Sequence, residues 1–360
     1  MIANPMPWPD GARCAVAMTW DMDADSAFNW YNKDTADNLV AAQSWTRYDP
    51  LIAIPRLVEQ FARLGLHLTF FVPGWVIEKY PAQIDLLLEH GHEIALHGYL
   101  HERSNEIDKD DELYWLGRGL DAYRKHTGTG PRSWRAPSFA FSKHSLRYLL
   151  EAKFEYDSSL MGDDVPYALK DGNASLEFPV DWTLDDFPHY AHNRDLGYRM
   201  PISPPQRAME VFRSEFDGAW EFGTLWISVW HPALSGRLAW FKAVLELLDY
   251  MRAKGGVWFA RLDQVCDYVQ KLMTEGRWTP RYETFKARSP NSPKSGKPGQ
   301  MALLHSRSRS TRWWGSSAVI GRSTAAETMD PREDAHASAT PRGDLVRAVD
   351  GAALDWVFIR

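Results

Sequence analysis

At 360 residues, 44% hydrophobic and 13% aromatic, the chain has the length and composition of a globular protein with a sizeable core. A net charge of −6 argues against nucleic acid as the main partner, and no apolar run reaches the roughly 20 residues of a membrane-spanning helix. The opening MIANPMPWPDGARC has neither the basic start nor the apolar centre of a signal peptide, so the expected address is the cytoplasm. Cys14 and Cys266 are far apart without Cys-x-x-Cys spacing and read as small buried hydrophobes.

In chain order, CAVAMTW (14–20), LTFFVP (68–73), HEIALH (92–97), SWRAPS (133–138), SLEFPV (175–180) and TLWISVW (224–230) are short apolar runs suited to buried strands, with GVWFAR (256–261) a seventh. Helical patterns separate them: IAIPRLVEQFARLG, AQIDLLLEHG, DELYWLGRGLDAYRKHTG, HSLRYLLEAKF and RLAWFKAVLELLDYMRAKGG. Several of these end in Gly, which tolerates the left-handed cap. The alternation predicts an α/β fold with parallel strands and crossover helices, as a closed barrel or an open sheet. No glycine-rich phosphate fingerprint follows the first strand. From 287 to 360 the sequence is rich in Ser, Arg, Pro, Gly and Thr without sustained periodicity, the composition expected of a disordered tail.

In parallel α/β folds functional residues gather where strands end. The first strand exits into Asp21, Asp23 and Asp25, the third into His97 and His101, the fourth into Arg135, and TLWISVW into His231. Alternate residues of an extended segment share a face, so these aspartates could project into one cavity, where like charges raise each other's pKa unless a cation sits among them. One carboxylate with the His97 and His101 pair makes a three-legged metal clamp that leaves positions for water and substrate. Taken singly, each has a plainer reading: the histidine pair as ordinary histidines, Arg135 as a salt-bridging residue, His231 as a loop residue. Asp25 reads best as a turn cap or a solvated carboxylate. Their joint placement at successive strand ends favours the metal site.

These residues resemble the polysaccharide deacetylases, the NodB homology or carbohydrate esterase family 4 group. TWDMDAD is similar to the first family motif, TFFVPGWVIEKYPAQIDLLLEHGHEIALHGYLHE to the second, WRAPSF to the third and VWHP to the fifth. The resemblance spans 7–275 and implies a distorted (β/α) barrel of about seven strands. It implies Asp23, His97 and His101 as ligands of a divalent metal, zinc by ligand type, with nickel, cobalt or iron fitting the same donors. It further implies Asp21 as catalytic base, Arg135 as the group orienting it and His231 as acid. FPVDWTLDDFPHY, with Asp181, Trp182, Asp185 and Asp186, is the candidate fourth motif.

Met22 separates Asp21 from Asp23, where most family members have adjacent aspartates. That spacing, with SSLMGDD and WTLDDFPHY, resembles a cytosolic branch of peptidoglycan-deacetylase-like and allantoinase-like or cyclic imide hydrolases. The reaction implied is hydrolysis of a non-peptide carbon–nitrogen bond, as N-deacetylation of a sugar or cleavage of a small amide. The alternatives are a ring-opening imide or ureide hydrolase, with or without metal, and an inactive carbohydrate-binding barrel, which would have no need of base, ligands and acid together. The expected partner is a small-molecule or oligosaccharide amide, with no nucleic acid and no membrane, and a homo-oligomer is compatible with the sequence. Of the 17 tryptophans, Trp134 and Trp182 sit beside motif residues, and with Tyr99 they are the expected pocket walls.

Overall fold

The computed structural model describes residues 2 and 4–285, so the segment 287–360 lies outside the described residues. The strands are β1 (Cys14–Asp21), β2 (Thr69–Val72), β3 (Glu93–Leu96), β4 (Ser133–Trp134), β5 (Tyr156–Asp157), β6 (Tyr167–Asp171) and β7 (Asn173–Glu177). A separate ribbon pairs β8 (His192–Asn193) with β9 (Tyr198–Arg199), and β10 (Leu225–Trp230), β11 (Val257–Phe259) and β12 (Tyr282–Glu283) complete the set.

Seven strands, β10, β1, β2, β3, β4, β5 and β7, follow one another in parallel register. After β7 the chain runs to Asp185, which forms a parallel bridge to Val229 of β10 and so ties the last strand of the series back to the first. This is the barrel alternative. β1 is buried at all its positions because it has sheet neighbours at its flanks and apolar side chains on both faces. Val16, Met18 and Trp20 pack under helices, whereas Ala15 and Ala17 face a second cluster with Phe71, Ala95, Tyr156 and Ile227.

The helices follow the expected patterns. The longest, Lys109–Thr127, starts where the Asp108 carboxylate accepts the amides of Asp110 and Asp111, and it stops at Gly128 in the left-handed region (φ 76°). Acidic residues in its first turn and Arg124, Lys125 and His126 in its last complement the helix dipole.

The strand assignments need three corrections. The run 133–138 keeps only Ser133–Trp134 as strand, because Pro137 has no N–H for a ladder and Ser138 and Phe139 adopt positive φ (53° and 55°). SLEFPV leaves its ladder at Glu177, before Pro179. It also pairs antiparallel with β6 across Gly172, so the sheet is not wholly parallel. The short β5, with one apolar and one charged residue, carries too little periodicity to read, and it displaces GVWFAR from the seven-strand series. β11 instead pairs with the lower half of β1.

Candidate active site

β1 carries Asp21 at its last position and bends into Met22 and Asp23. Met22 is fully buried in the core, so the two flanking carboxylates emerge on the other side, as strand alternation requires. Asp25 is not solvated. It is buried and accepts a hydrogen bond from the Tyr80 hydroxyl (2.9 Å), away from the cavity that takes the other two; its side chain makes no cap to the helix Ser26–Tyr31.

The stretch after β3 is shaped by Glu102. Its carboxylate accepts the amides of Tyr99 (3.0 and 3.1 Å) and Leu100 (2.7 Å) and folds residues 98–102 back on themselves. Gly98 (φ 67°) is required there, since a Cβ would lie 2.8 Å from Glu102 Oε1. His101 itself is held at φ 61°, an unfavourable conformation for a side-chain-bearing residue that the tight turn imposes. The turn sets the rings of His97 and His101 5.0 Å apart, at 76° to each other.

Asp23, His97 and His101 each offer a ligand atom within 4.8 Å of the others. His97 Nδ1 donates to the carbonyl of Arg135 (2.9 Å), which leaves the Nε2 lone pair facing Asp21 Oδ2 (3.7 Å) and Asp23 Oδ1 (3.6 Å). Burial pushes His97 down to about 4, against the pull of the two aspartates, so the ring is neutral as a ligand must be. Asp23 Oδ1 and His101 Nδ1 are buried without a hydrogen-bond partner. The ion-pair neighbours of Asp23 are imidazoles, His97, His101 (3.4 Å) and His231 (3.7 Å), with no lysine or arginine among the described residues. A buried carboxylate without a fixed cation, next to two imidazoles, suits a divalent ion, and these residues fit one.

Asp21 belongs to Arg135. The guanidinium is fully buried over the Phe71 ring, donating to Asp21 Oδ1 (2.6 Å), Thr19 Oγ1 (2.9 Å), the Ser158 carbonyl (2.8 Å) and Ser158 Oγ (3.0 Å). Burial alone would raise the Asp21 pKa, but Arg135, with His97 and His231, outweighs it and holds the carboxyl below its ordinary value.

His231 follows β10, and its partner comes from the segment that closes the barrel. Asp186 Oδ1 lies 2.6 Å from His231 Nδ1, while Asp186 Oδ2 accepts the His231 amide (3.0 Å), the Ser235 amide (3.2 Å) and Ser235 Oγ (2.5 Å). Burial would lower His231, but Asp186 overrides it and the imidazole is pushed up to about 10. Asp185, Asp186 and His231 also lie close enough to hold a metal, yet both Asp186 oxygens are already engaged. Asp185 reaches the cavity; burial raises its pKa to about 7, opposed by His231 at 3.9 Å.

Asp21, Asp23, His97, His101 and His231 line one cavity of about 440 Å³. Two of the expected walls do not. Trp134 is buried on the outer side of its strand among Leu96, Leu116, Leu120 and Leu149, since alternation sends Arg135 inward and Trp134 outward. Tyr99 stacks on Trp115 (5.6 Å, 17°) and its hydroxyl meets Glu78 (2.8 Å) and Arg118 (2.5 Å). Trp182 does line the cavity, half-exposed and edge-on to Phe139 at 4.8 Å. Walls not anticipated are Tyr31, Arg103, Phe187, Tyr198 and Met200. Tyr198 comes from β9 and Met200 directly follows it; the Gly197 turn between β8 and β9 is a hairpin signal visible in the sequence.

The barrel gathers Asp21, Asp23, His97, His101 and His231 around one cavity at its mouth. A family model described as polysaccharide deacetylase matches residues 50–156. A protein of Mycobacterium smegmatis, whose crystal structure is described as that of a polysaccharide deacetylase, is 36% identical with a TM-score of 0.74, covering 80% of this chain and 99% of its own. The chain belongs to the polysaccharide deacetylase family. It is also 23% identical over 281 residues to a peptidoglycan deacetylase of Helicobacter pylori, covering 70% of this chain and 95% of that protein. Puue allantoinase shares the fold at 20% identity and a TM-score of 0.66, covering 77% of this chain and 96% of its own. No helix among the described residues is long and apolar enough to cross a membrane.

Proposed function

We propose that this chain is a metal-dependent amide hydrolase whose substrate is a small molecule. The observation that carries the reading is that one cavity is lined by Asp21, Asp23, His97, His101 and His231 together. Asp23, His97 and His101 would hold the ion, zinc by donor type; when bound it supplies Lewis acidity, lowering the pKa of water and polarising a carbonyl.

Asp21 takes the proton of the attacking water. Arg135 keeps that carboxylate ionised and fixes one of its oxygens, so the other, Oδ2, is free to accept. Asp186 accepts the Nδ1–H and stabilises the imidazolium, so His231 also carries a proton on Nε2 toward the cavity and donates it to the departing nitrogen, which is a poor leaving group until protonated. The aromatic walls Phe139, Trp182 and Phe187 exclude water around the reacting bond.

A small substrate is supported by the size of the site. Tyr198 of β9 and Met200 just after it are among the walls of a cavity of about 440 Å³, in the size range of small-molecule pockets. The second reading, N-deacetylation of an acetylated sugar, is favoured by the similarity to the Helicobacter pylori peptidoglycan deacetylase. Kinetics on a panel of cyclic imides, ureides and N-acetylglucosamine oligomers separates them. The expected result is a higher kcat/KM for a cyclic imide or ureide. Acetate release from an oligomer with no turnover of any cyclic amide would leave the metal mechanism standing and remove the small-substrate reading.

A further inference from the structure

We infer that the cavity selects a small amide bearing a carboxylate, and that Arg103 is the residue that reads it. This rests on the hydrolase reading of the same site. Among the described residues that line the cavity, Arg103 is the single lysine or arginine. It stands two residues after His101, on the turn that Glu102 shapes.

Its guanidinium is only partly committed. Glu106 engages Nη1 at 2.6 Å, and no described residue takes Nη2. Nε is buried and has no hydrogen-bond partner. Because Nε is shut off from solvent, the donor left open to a ligand is Nη2, which can give a carboxylate a charge-assisted hydrogen bond. Tyr31 and Tyr198 line the same cavity, and neither hydroxyl is bound by a described residue, so two further donors are open to an anion. None of the acidic groups that line the cavity pairs with Arg103: Asp21 is paired with Arg135, and the ion-pair neighbours of Asp23 and Asp185 are histidines. A neutral substrate would leave Nη2 without a charged acceptor, whereas a carboxylate supplies one.

The test compares hydantoin-5-acetate with its neutral isostere hydantoin-5-acetamide, by calorimetric binding to the protein as purified, with hydrolysis of both followed in parallel. The wild type should bind the carboxylate about tenfold more tightly, the scale of a charge-assisted hydrogen bond. Arg103→Gln should remove that preference and leave carboxamide binding within about twofold. Glu106→Gln, at an exposed position, should strengthen carboxylate binding by removing the negative charge that competes for the guanidinium. Equal affinity for both compounds in the wild type, or a preference that survives Arg103→Gln, would overturn the inference even if both compounds are hydrolysed. An Arg103-dependent preference with hydrolysis of neither would support it and count instead against the hydrolase reading.

Discussion

Arg135 Nη1 lies 2.6 Å from Asp21 Oδ1, and both side chains are almost wholly shut off from solvent. Two residues 114 positions apart thereby form a buried ion pair in which one carboxylate oxygen is fixed and the other faces the cavity. The arginine is held by four polar contacts and one aromatic ring, so its removal is a folding event as well as a chemical one.

Arg135→Ala should therefore destabilise the protein by about 3–5 kcal/mol, the usual cost of leaving one partner of a buried pair alone. Asp21→Asn keeps a hydrogen bond to the guanidinium but cannot take a proton, so kcat should fall by about a hundredfold or more. Urea unfolding and steady-state kinetics on the two variants check this. An unchanged kcat in Asp21→Asn would remove Asp21 from the base role.

The two trios of potential ligands make opposite predictions for metal content. His97→Ala and His101→Ala should lose the ion, whereas His231→Ala should retain it, because His231 is committed to Asp186. Elemental analysis of protein purified without chelators is the measurement. Equal metal content in all three variants would be fatal to the ligand assignment.

Asp186 acts through His231. In Asp186→Asn the imidazole loses the carboxylate that accepts its Nδ1–H and keeps Nε2 protonated, so kcat should drop by about a hundredfold while the ion stays bound. Kinetics and metal content measured on the same preparation give both readouts. Loss of the ion together with activity would instead place Asp186 in the metal site.

His92, remote from the cavity, makes stability depend on pH. It is buried, its Nδ1 accepts the Leu68 amide (3.0 Å), and burial, with the nearby His67, His90 and Arg261, lowers it from 6.5 to about 4. A base whose folded pKa is depressed contributes stability fully above about 6.5, and that contribution is lost as pH falls toward about 4. Between about pH 7.5 and 5 this amounts to roughly 2 kcal/mol. His92→Asn keeps an acceptor for Leu68 and cannot titrate, so its unfolding midpoint should vary less over that range. Equal slopes for variant and wild type would show that His92 is not the titrating group.

The sequence by itself determined the central strands β1, β2, β3 and β10, because a strand buried on both faces must be apolar throughout, and it determined the helix ends at Gly128 and Gly255, where glycine leaves the helix at positive φ. It also presented Asp21, Asp23, His97, His101, Arg135 and His231, since a strand's last residue is legible wherever an apolar run meets an ionisable group. What lies behind those residues was decided by tertiary structure. Trp134 and Tyr99 sit beside motif residues in the chain, but strand alternation and the Glu102 turn direct them away from the cavity. Asp185 and Asp186 were visible as candidates, yet only the bridge from Asp185 to Val229 brings them to His231. Tyr31 ends a six-residue helix, Arg103 lies on a loop and Tyr198 on a two-residue strand, elements too short for periodicity to say which face they present. Their convergence depends on contacts between residues up to 167 positions apart, 198 less 31, which no local pattern encodes.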